Sequence, residues 1–521
     1  MKNIKIIVLI FSLLSLVLLF AENYMELIWE QQGEHIEAEY GYSIASIDFN
    51  GDNIDDLVVG SYKWSAEGTP SGPNHGKIYF YYGGDDFDNI PELTMDGGQY
   101  SYSTGLGKKI VNLGDVNGDG YEDLGSRRAG DFQTIRYYLE IYYGGPDCDT
   151  IPDFQHIIYN DNVEYINSLY PLGDVNSDGY NDVGFVIASS TPVYDNSFYI
   201  IYGAENPFVE YWAGFGNGGG TIREIGNINN DLYDDFMISF YDNEYSGYCN
   251  IIFYGDTVID PVIIDTLYSN TANFIPGGAY AGDFNGDGTD DFIGCWGAGE
   301  ETELWFGNVV LSEVSDVHLN AYSDGNKSIG VGDLNSDGFS DIVLGNPYWS
   351  NHQGKAYFFI GDTNANGSID LDIPAPVIVG TQYGTSVAVG DFNNDGFDDA
   401  AIGAPSPYSG WYPGYVYVYA GNDSLEETTP VSVNEISSIP GITFNAFPNP
   451  FNPTVTFEIK AENYENLQIE IFNIKGQKVK TLNIGKTVWF ADGQPSGVYF
   501  CKLINVEDSK VLSIKKVTLM K

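Results

Sequence analysis

Seven short segments of this chain place side-chain oxygens at positions 1, 3, 5 and 9 of a nine-residue stretch. Such a spacing suits a hard cation, because alternate residues of a tight turn aim their oxygens inward. The segments carry Asp48, Asn50, Asp52 and Asp56; Asp115, Asn117, Asp119 and Asp123; Asp174, Asn176, Asp178 and Asp182; and Asn227, Asn229, Asp231 and Asp235. They continue with Asp283, Asn285, Asp287 and Asp291; Asp333, Asn335, Asp337 and Asp341; and Asp391, Asn393, Asp395 and Asp399. Calcium takes roughly six to eight oxygens, so carboxylates, amides and backbone carbonyls are its expected ligands. Position 6 is Gly in five copies (Gly120, Gly179, Gly288, Gly338, Gly396), which permits a sharp reversal of the chain. Asn53 and Leu232 stand there in the other two. A helical EF-hand is excluded: it needs Glu at position 12, where Ser126 and Gly294 stand in the second and fifth copies. Position 9 runs instead into Leu124, Val183, Phe236, Phe292 or Ile342, the start of a strand. The expectation is up to seven Ca²⁺ ions on metal-clipped β-turns, with the fourth loop, poorer in charge and lacking Gly, the weakest.

The copies start 67, 59, 53, 56, 50 and 58 residues apart. Periods of this size mark stacked supersecondary units, as in propellers. Before each loop comes an alternating segment such as Tyr42–Ile47 or Thr385–Val389, and after it a short apolar one such as Leu57–Gly60 or Ile342–Gly345. A variable stretch follows, then a strand rich in aromatic residues, as in Ile78–Tyr82, Ala356–Ile360 and Tyr415–Tyr419. With a fourth, less regular segment, four strands in each of seven units predict an all-β chain: a seven-bladed β-propeller followed by a small Ig-like β-sandwich. The seventh unit lacks a fourth strand, since 423–441 is a polar linker. The extra segment Met25–Glu30 is expected to supply it, in the place that Pro376–Val379 takes at the previous junction, and so to remove two exposed edges.

Composition narrows the partners. The chain of 521 residues has formal charge −51, from 73 acids against 22 Lys and Arg. From Ile442 onward ten Lys stand against seven acids, which leaves 66 acids and 12 bases before it. Such a surface repels nucleic acid and anionic lipid. Disorder is excluded by 43% apolar and 15% aromatic content. Seven Ca²⁺ would bring −51 to about −37 and relieve repulsion where it is densest. Residues 1–21 read as a signal peptide: Lys2 and Lys5, an apolar run from Ile6 to Phe20, then Ala21. The mature chain is expected to have no membrane span and to work in a secreted or outer-membrane-associated, cell-surface setting. The four cysteines (Cys148, Cys249, Cys295, Cys501) have no metal-binding spacing.

Two resemblances extend this reading. Gly384-Thr-Ser-Val-Ala, then Asp391-x-Asn393-x-Asp395-Gly396-x-x-Asp399, then Gly403-Ala404-Pro405, resembles the FG-GAP repeat of the integrin α-subunit propeller, over roughly residues 24–422. It implies loops joining strands 1 and 2 of each blade, on the face opposite the ligand. The last eighty residues read as a small all-β sandwich. Phe447-Pro-Asn-Pro-Phe-Asn-Pro453, Leu467–Phe472, Gly476–Lys480, Ser496–Phe500 and a basic end at Lys515-Lys516 follow in the order of the type A sorting domain of type IX secretion substrates. That resemblance implies a sorting domain over 442–521, recognised by the secretion machinery, behind a propeller over 22–422.

No catalytic set stands out. The five His form no metal-binding spacing, and there is no GxSxG elbow or Walker loop. The acidic pairs Asp55-Asp56 and Asp398-Asp399 fall within the loops and are assigned to metal or turn duty. The stretches between strands 2 and 3, opposite the loops, carry Trp64, Trp296, Trp349, Trp411, Tyr348 and Tyr412, with Tyr62, Tyr194 and Tyr408 beside them. Rings on one rim can stack on a glycan or anchor a protein partner, or else cap the blades. The expected function is a secreted, calcium-stabilised binding or adhesion propeller without catalysis. The alternative is an extracellular polysaccharide-active enzyme, lyase-like, which needs a base and a neutralising Arg or metal in one cleft.

Overall fold

The computed structural model describes residues 24–426 and 442–519, apart from short interior stretches of which 269–277 is the longest. The predicted signal segment 1–21 lies outside the described residues. The chain divides into two compact units, 1–427 and 428–521.

The described residues of the first unit form seven four-stranded antiparallel sheets. In the first sheet the strands Tyr40–Ile47, Asp56–Ser61, Lys77–Tyr81 and Leu93–Asp96 lie side by side in chain order, and five further sheets repeat that order. Second strands such as Asp56–Ser61, Asp341–Asn346 and Asp399–Ala404 are buried on both faces, while Leu124–Ala129 is half-buried from Arg127 onward. That double burial explains why these strands read as unbroken apolar runs rather than alternating ones. The first strands of successive sheets adjoin one another, and Ser386–Gly390 of the last sheet returns to adjoin Tyr40–Ile47 of the first. The sheets therefore circle an axis lined by their first strands, which is the arrangement of a β-propeller.

Apolar side chains from facing sheets fill the seams between them. In one seam Leu57, Val59 and Tyr81 of the first sheet pack with Ala401, Val416 and Val418 of the last. Position 2 of every loop (Phe49, Val116, Val175, Ile228, Phe284, Leu334, Phe392) is at most 1% exposed and plugs such a seam.

The last sheet runs Glu26–Gln32, Tyr415–Ala420, Asp399–Ala404, Ser386–Gly390. Its outer strand comes from the start of the described chain and pairs antiparallel with Tyr415–Ala420. Trp29 of that strand packs edge-on to Tyr81 of the first sheet, with ring centroids 5.1 Å apart, and its indole N–H donates to the Asp88 carbonyl at 2.7 Å. Two sequence expectations shift. The fourth strand of the sixth sheet is Leu371–Pro374, earlier than the expected Pro376–Val379; it pairs with Lys355–Phe359 across a connection over 360–370, and residues 377–379 of the expected segment lie outside the described residues. The first unit also runs past Asp423: Leu425 is 2% exposed in the core beside the last sheet, so the linker begins later than its polarity suggests.

In the second unit, Ile442–Phe447, Thr454–Ala461 and Val488–Phe490 form one sheet. Lys478–Asn483, Leu467–Asn473, Gly497–Asn505 and Lys510–Leu519 form another. Alternation along Leu467–Asn473 sends Leu467, Ile469 and Ile471 into a core with Phe451, Trp489 and Tyr499. Trp489 stands edge-on to Tyr499 at 5.0 Å.

Candidate functional site

Each nine-residue loop joins the first and second strands of its sheet, so all seven occupy the same end of their strands. The position-1 carboxylate organises the turn. Asp48 accepts the N–H groups of Gly51, Asp52 and Asn53 at 2.8, 3.0 and 2.7 Å. Asp115, Asp174, Asp283, Asp333 and Asp391 likewise accept the position-6 Gly N–H at 2.8–2.9 Å. These five glycines have φ between +87° and +91°, with open space where a Cβ would stand. Position 4 also has positive φ in all seven copies, at Gly51, Gly118, Ser177, Asn230, Gly286, Ser336 and Asn394. Sequence reasoning missed this, because Asn and Ser there conceal a common conformation. In the fourth copy Asn227 instead donates its amide to the Asp231 carbonyl at 2.9 Å, and Leu232 is 79% exposed.

Position 9 is 0% exposed in every copy. Asp123 shows its role: one oxygen accepts the Val116 N–H at 2.9 Å and the other the Gly144 N–H at 3.1 Å. The glycine that follows the third strand makes this second bond in all seven sheets: Gly83, Gly144, Gly203, Gly255, Gly307, Gly361 and Gly421. A Cβ on Gly144 would lie 2.1 Å from the Glu122 carbonyl oxygen, so the turn needs Gly for close approach. The signal was visible as a Gly after each aromatic strand, but it was not read.

Position 8 has a different duty from the one expected of it. Asp55 and Asp398 do not turn into their own loops; they latch neighbouring sheets. Asp398 accepts the Asp333 N–H at 2.7 Å, and Asp234, Asp290, Asn181 and Glu122 accept the corresponding N–H of Asp174, Asn227, Asp115 and Asp48 at 2.7–3.1 Å. Asp55 accepts the Asp391 N–H at 2.9 Å and so joins the first loop to the last.

The electrostatics of the loops are unfavourable without a counter-ion. Burial first, and then the carboxylates at positions 5 and 1, push Asp56, Asp182, Asp341 and Asp399 up to about 8. Asp235 reaches about 8, and Asp123 and Asp291 about 7, with burial again the leading cause. The Asp399 Oδ2 is buried without a hydrogen-bond partner. No three His, Cys, Asp or Glu side chains among the described residues stand as a ready-formed metal cluster. The donor set is nevertheless all oxygen, each position-1 carboxylate keeps lone-pair capacity beside the N–H groups it accepts, and the crowded acids repel one another. These residues fit a hard divalent cation.

Among the described residues, the rim aromatics differ in their surroundings. Trp64 is 9% exposed: its indole donates to Glu34 at 2.8 Å, and the Lys77 ammonium lies 5.1 Å from its ring centroid. It caps its sheet rather than facing outward, which corrects its place in a display surface. Tyr348 and Trp349 are 44% and 36% exposed on the turn before Lys355–Phe359. Tyr412 is half-buried beside Tyr415, with ring centroids 6.5 Å apart. Trp296, Trp411, Tyr194 and Tyr408 lie outside the described residues. Cys148 and Cys501 are free thiols among the described residues.

A ring of four-stranded sheets with acidic loops at one end defines the class: the first unit is a β-propeller. Its stretches 40–81, 326–359 and 383–419 match the FG-GAP repeat, and residues 445–518 match the secretion system C-terminal sorting domain. The chain is similar to integrin alpha-4 of Xenopus laevis, 26% identical over 172 residues, covering 32% of this chain and 16% of that protein. It is also similar to integrin alpha-PS2 of Drosophila melanogaster, 31% identical over 123 residues, covering 23% and 9%. The chain thus spans less than a fifth of the length of these relatives. A solved structure of PorZ, an essential bacterial surface component of the type-IX secretion system of Porphyromonas gingivalis, aligns with TM-score 0.38 and 14% identity over 96% of this chain and 61% of that one. The chain carries integrin α-like FG-GAP repeats and a type IX sorting domain, which directs export to the cell surface or beyond. No described helix is long and apolar enough to cross a membrane.

Proposed function

We propose that this is a seven-bladed, calcium-stabilised propeller that binds a protein or glycan outside the cell and carries out no catalysis. Calcium would be held by positions 1, 3, 5 and 9 of the loops, least well by the fourth, supplying positive charge to the crowded carboxylates. A signal peptide over 1–21 and an Ig-like sorting domain from 442 would carry the propeller through the envelope by way of the type IX machinery. The observation that carries the reading is the sevenfold recurrence of one acidic turn at one end of the sheets. Duty of that kind leaves the opposite strand ends, where Tyr348 and Trp349 are exposed, for recognition.

The test is a screen of the full chain against glycans and envelope or host-surface proteins, in calcium and in EDTA. A ligand whose binding drops at least tenfold in Tyr348→Ala/Trp349→Ala supports the reading. Unsaturated products released from an acidic polysaccharide would overturn the non-catalytic part. Unchanged melting in EDTA would overturn the calcium part.

A further inference from the structure

Basic residues are scarce in the propeller: ten Lys and Arg lie between residues 22 and 441. Four of them, Lys108, Lys109, Arg127 and Arg223, line a single cavity of about 400 Å³ on the axis, bounded by first strands from all seven sheets. Chance scatter of ten cations over so acidic a unit does not gather four at one point. One acidic residue, Glu224, is among those lining the cavity; burial first, and then Asp234 and Asp290, push its carboxyl up to about 8.

Tyr170 is the centre of the arrangement. The Lys109 ammonium lies 3.6 Å from its ring centroid and the Arg223 guanidinium 3.9 Å, on a residue whose hydroxyl also accepts a hydrogen bond from Arg223 at 2.5 Å. Arg127 donates to the Ile166 carbonyl on the same neighbouring strand. Lys108, exposed, sits 5.4 Å from the Tyr62 ring centroid and leads from the cavity to an adjoining hollow that also contains Arg127, Arg128 and Tyr137. Arg223 itself is 7% exposed. Burial, with Arg223 and Arg127 nearby, holds Lys109 down to about 8, a strain that a bound anion would relieve.

We propose that this axial cavity is an anion-binding site that takes the carboxylate of a single acidic sugar unit, a terminal uronate, with the ring resting on Tyr42. The cations supply charge-assisted hydrogen bonds and Tyr42 supplies a stacking face. The volume suits one or two sugar rings. A long polyanion is disfavoured, because the cluster is ringed by a strongly acidic unit that repels charge beyond a Debye length of about 8–10 Å. The site is separate from the Tyr348–Trp349 rim and stands without any calcium assignment.

The test is calorimetric titration of the calcium-loaded full chain with glucuronate and galacturonate, their neutral parents glucose and galactose, and a capped Asp-Glu peptide. The expected result is binding of a uronate at least tenfold tighter than its neutral parent, weakened by salt. Arg223→Gln and the surface variant Lys108→Gln should each weaken it several-fold, while Lys478→Gln in the second unit and Tyr348→Ala/Trp349→Ala leave it unchanged. Because Lys108 is exposed, its variant folds even where the Arg223 variant does not. Equal binding of neutral and acidic sugars, no uronate binding, insensitivity to Lys108→Gln, or capture of the acidic peptide in place of the uronate each overturns the proposal. Loss of uronate binding in Tyr348→Ala/Trp349→Ala would overturn the separation of the two sites.

Discussion

At the scale of single residues, the loops hold two kinds of constraint, electrostatic and conformational, and each has its own test. The buried position-9 carboxylates have folded pKa values near 7 to 8, above the unfolded value of about 4. A group shifted in that direction binds protons that the unfolded chain has released, so its contribution is intact at low pH and is lost as pH rises through the folded value. In chelator, the melting temperature of the first unit should therefore fall between about pH 5 and about pH 8, and calcium should flatten that fall by holding the acids ionised. Thermal melts across that range check it; a melting temperature that climbs with pH in chelator contradicts it. Conformation separates two glycines of one sheet. Gly120 has φ +91° and open surroundings, so Gly120→Ala meets only the left-handed backbone cost of about 1–2 kcal/mol. Gly144→Ala drives a methyl to 2.1 Å from the Glu122 carbonyl oxygen and should lose roughly twice as much or more by denaturant titration. Position 6 and its glycine were legible in the sequence, since Gly recurs there. Position 4 and the glycine after strand 3 were not, the first because Ser and Asn take the same φ and the second because its partner is the position-9 carboxylate some twenty residues earlier in the chain.

At the scale of elements, the unit of stability is the seam between sheets rather than the sheet. Loop position 2 plugs the seam, position 8 latches it, and the glycine after strand 3 ties each sheet to its own loop. The second and third strands were readable from apolar and aromatic runs, and the turn–strand transition from the acidic loop. The latch was not readable: Asp55-Asp56 looks like one acidic pair, yet Asp56 faces its own turn while Asp55 reaches a loop 336 positions away. Only the closed ring brings those two ends together. Asp55→Ala should remove the latch at the seam between the first and last sheets and cost about 1–3 kcal/mol, since it leaves the Asp391 N–H in want of an acceptor. Asp55→Asn retains an acceptor oxygen and should cost less. Equal losses in the two variants, measured by urea unfolding, would mean that the carboxylate acts by charge and not as an acceptor.

At the scale of the whole molecule, a ring differs from an open stack of sheets because its closure is shared between the two ends of the propeller sequence. Glu26–Gln32 supplies the outer strand of the sheet whose other three strands lie beyond residue 385. Trp29 is 6% exposed between Tyr81 and Phe87, Tyr40 N–H donates to the Pro413 carbonyl at 3.1 Å, and Gly33 N–H to that of Gly414 at 3.0 Å. The sequence suggested this closure through an odd strand at the start and a missing one at the end. It gave no hint that the basic residues from 108 to 223 meet on the axis, because that convergence is a property of the circle. Deleting residues 22–32 should strip the last sheet of its edge partner and expose Tyr415–Ala420. Calorimetry of the calcium-loaded protein should then show the propeller transition lowered and broadened, as cooperativity breaks at one seam. Added EDTA should lower the same transition in the intact chain. The transition of the second unit should stay in place in both experiments, since its core of Phe451, Ile469, Ile471, Trp489 and Tyr499 contains no acidic loop. A deletion that melts like the parent would show that closure is carried by the loop latch alone, through Asp55 and Asp391, and not by the exchanged strand.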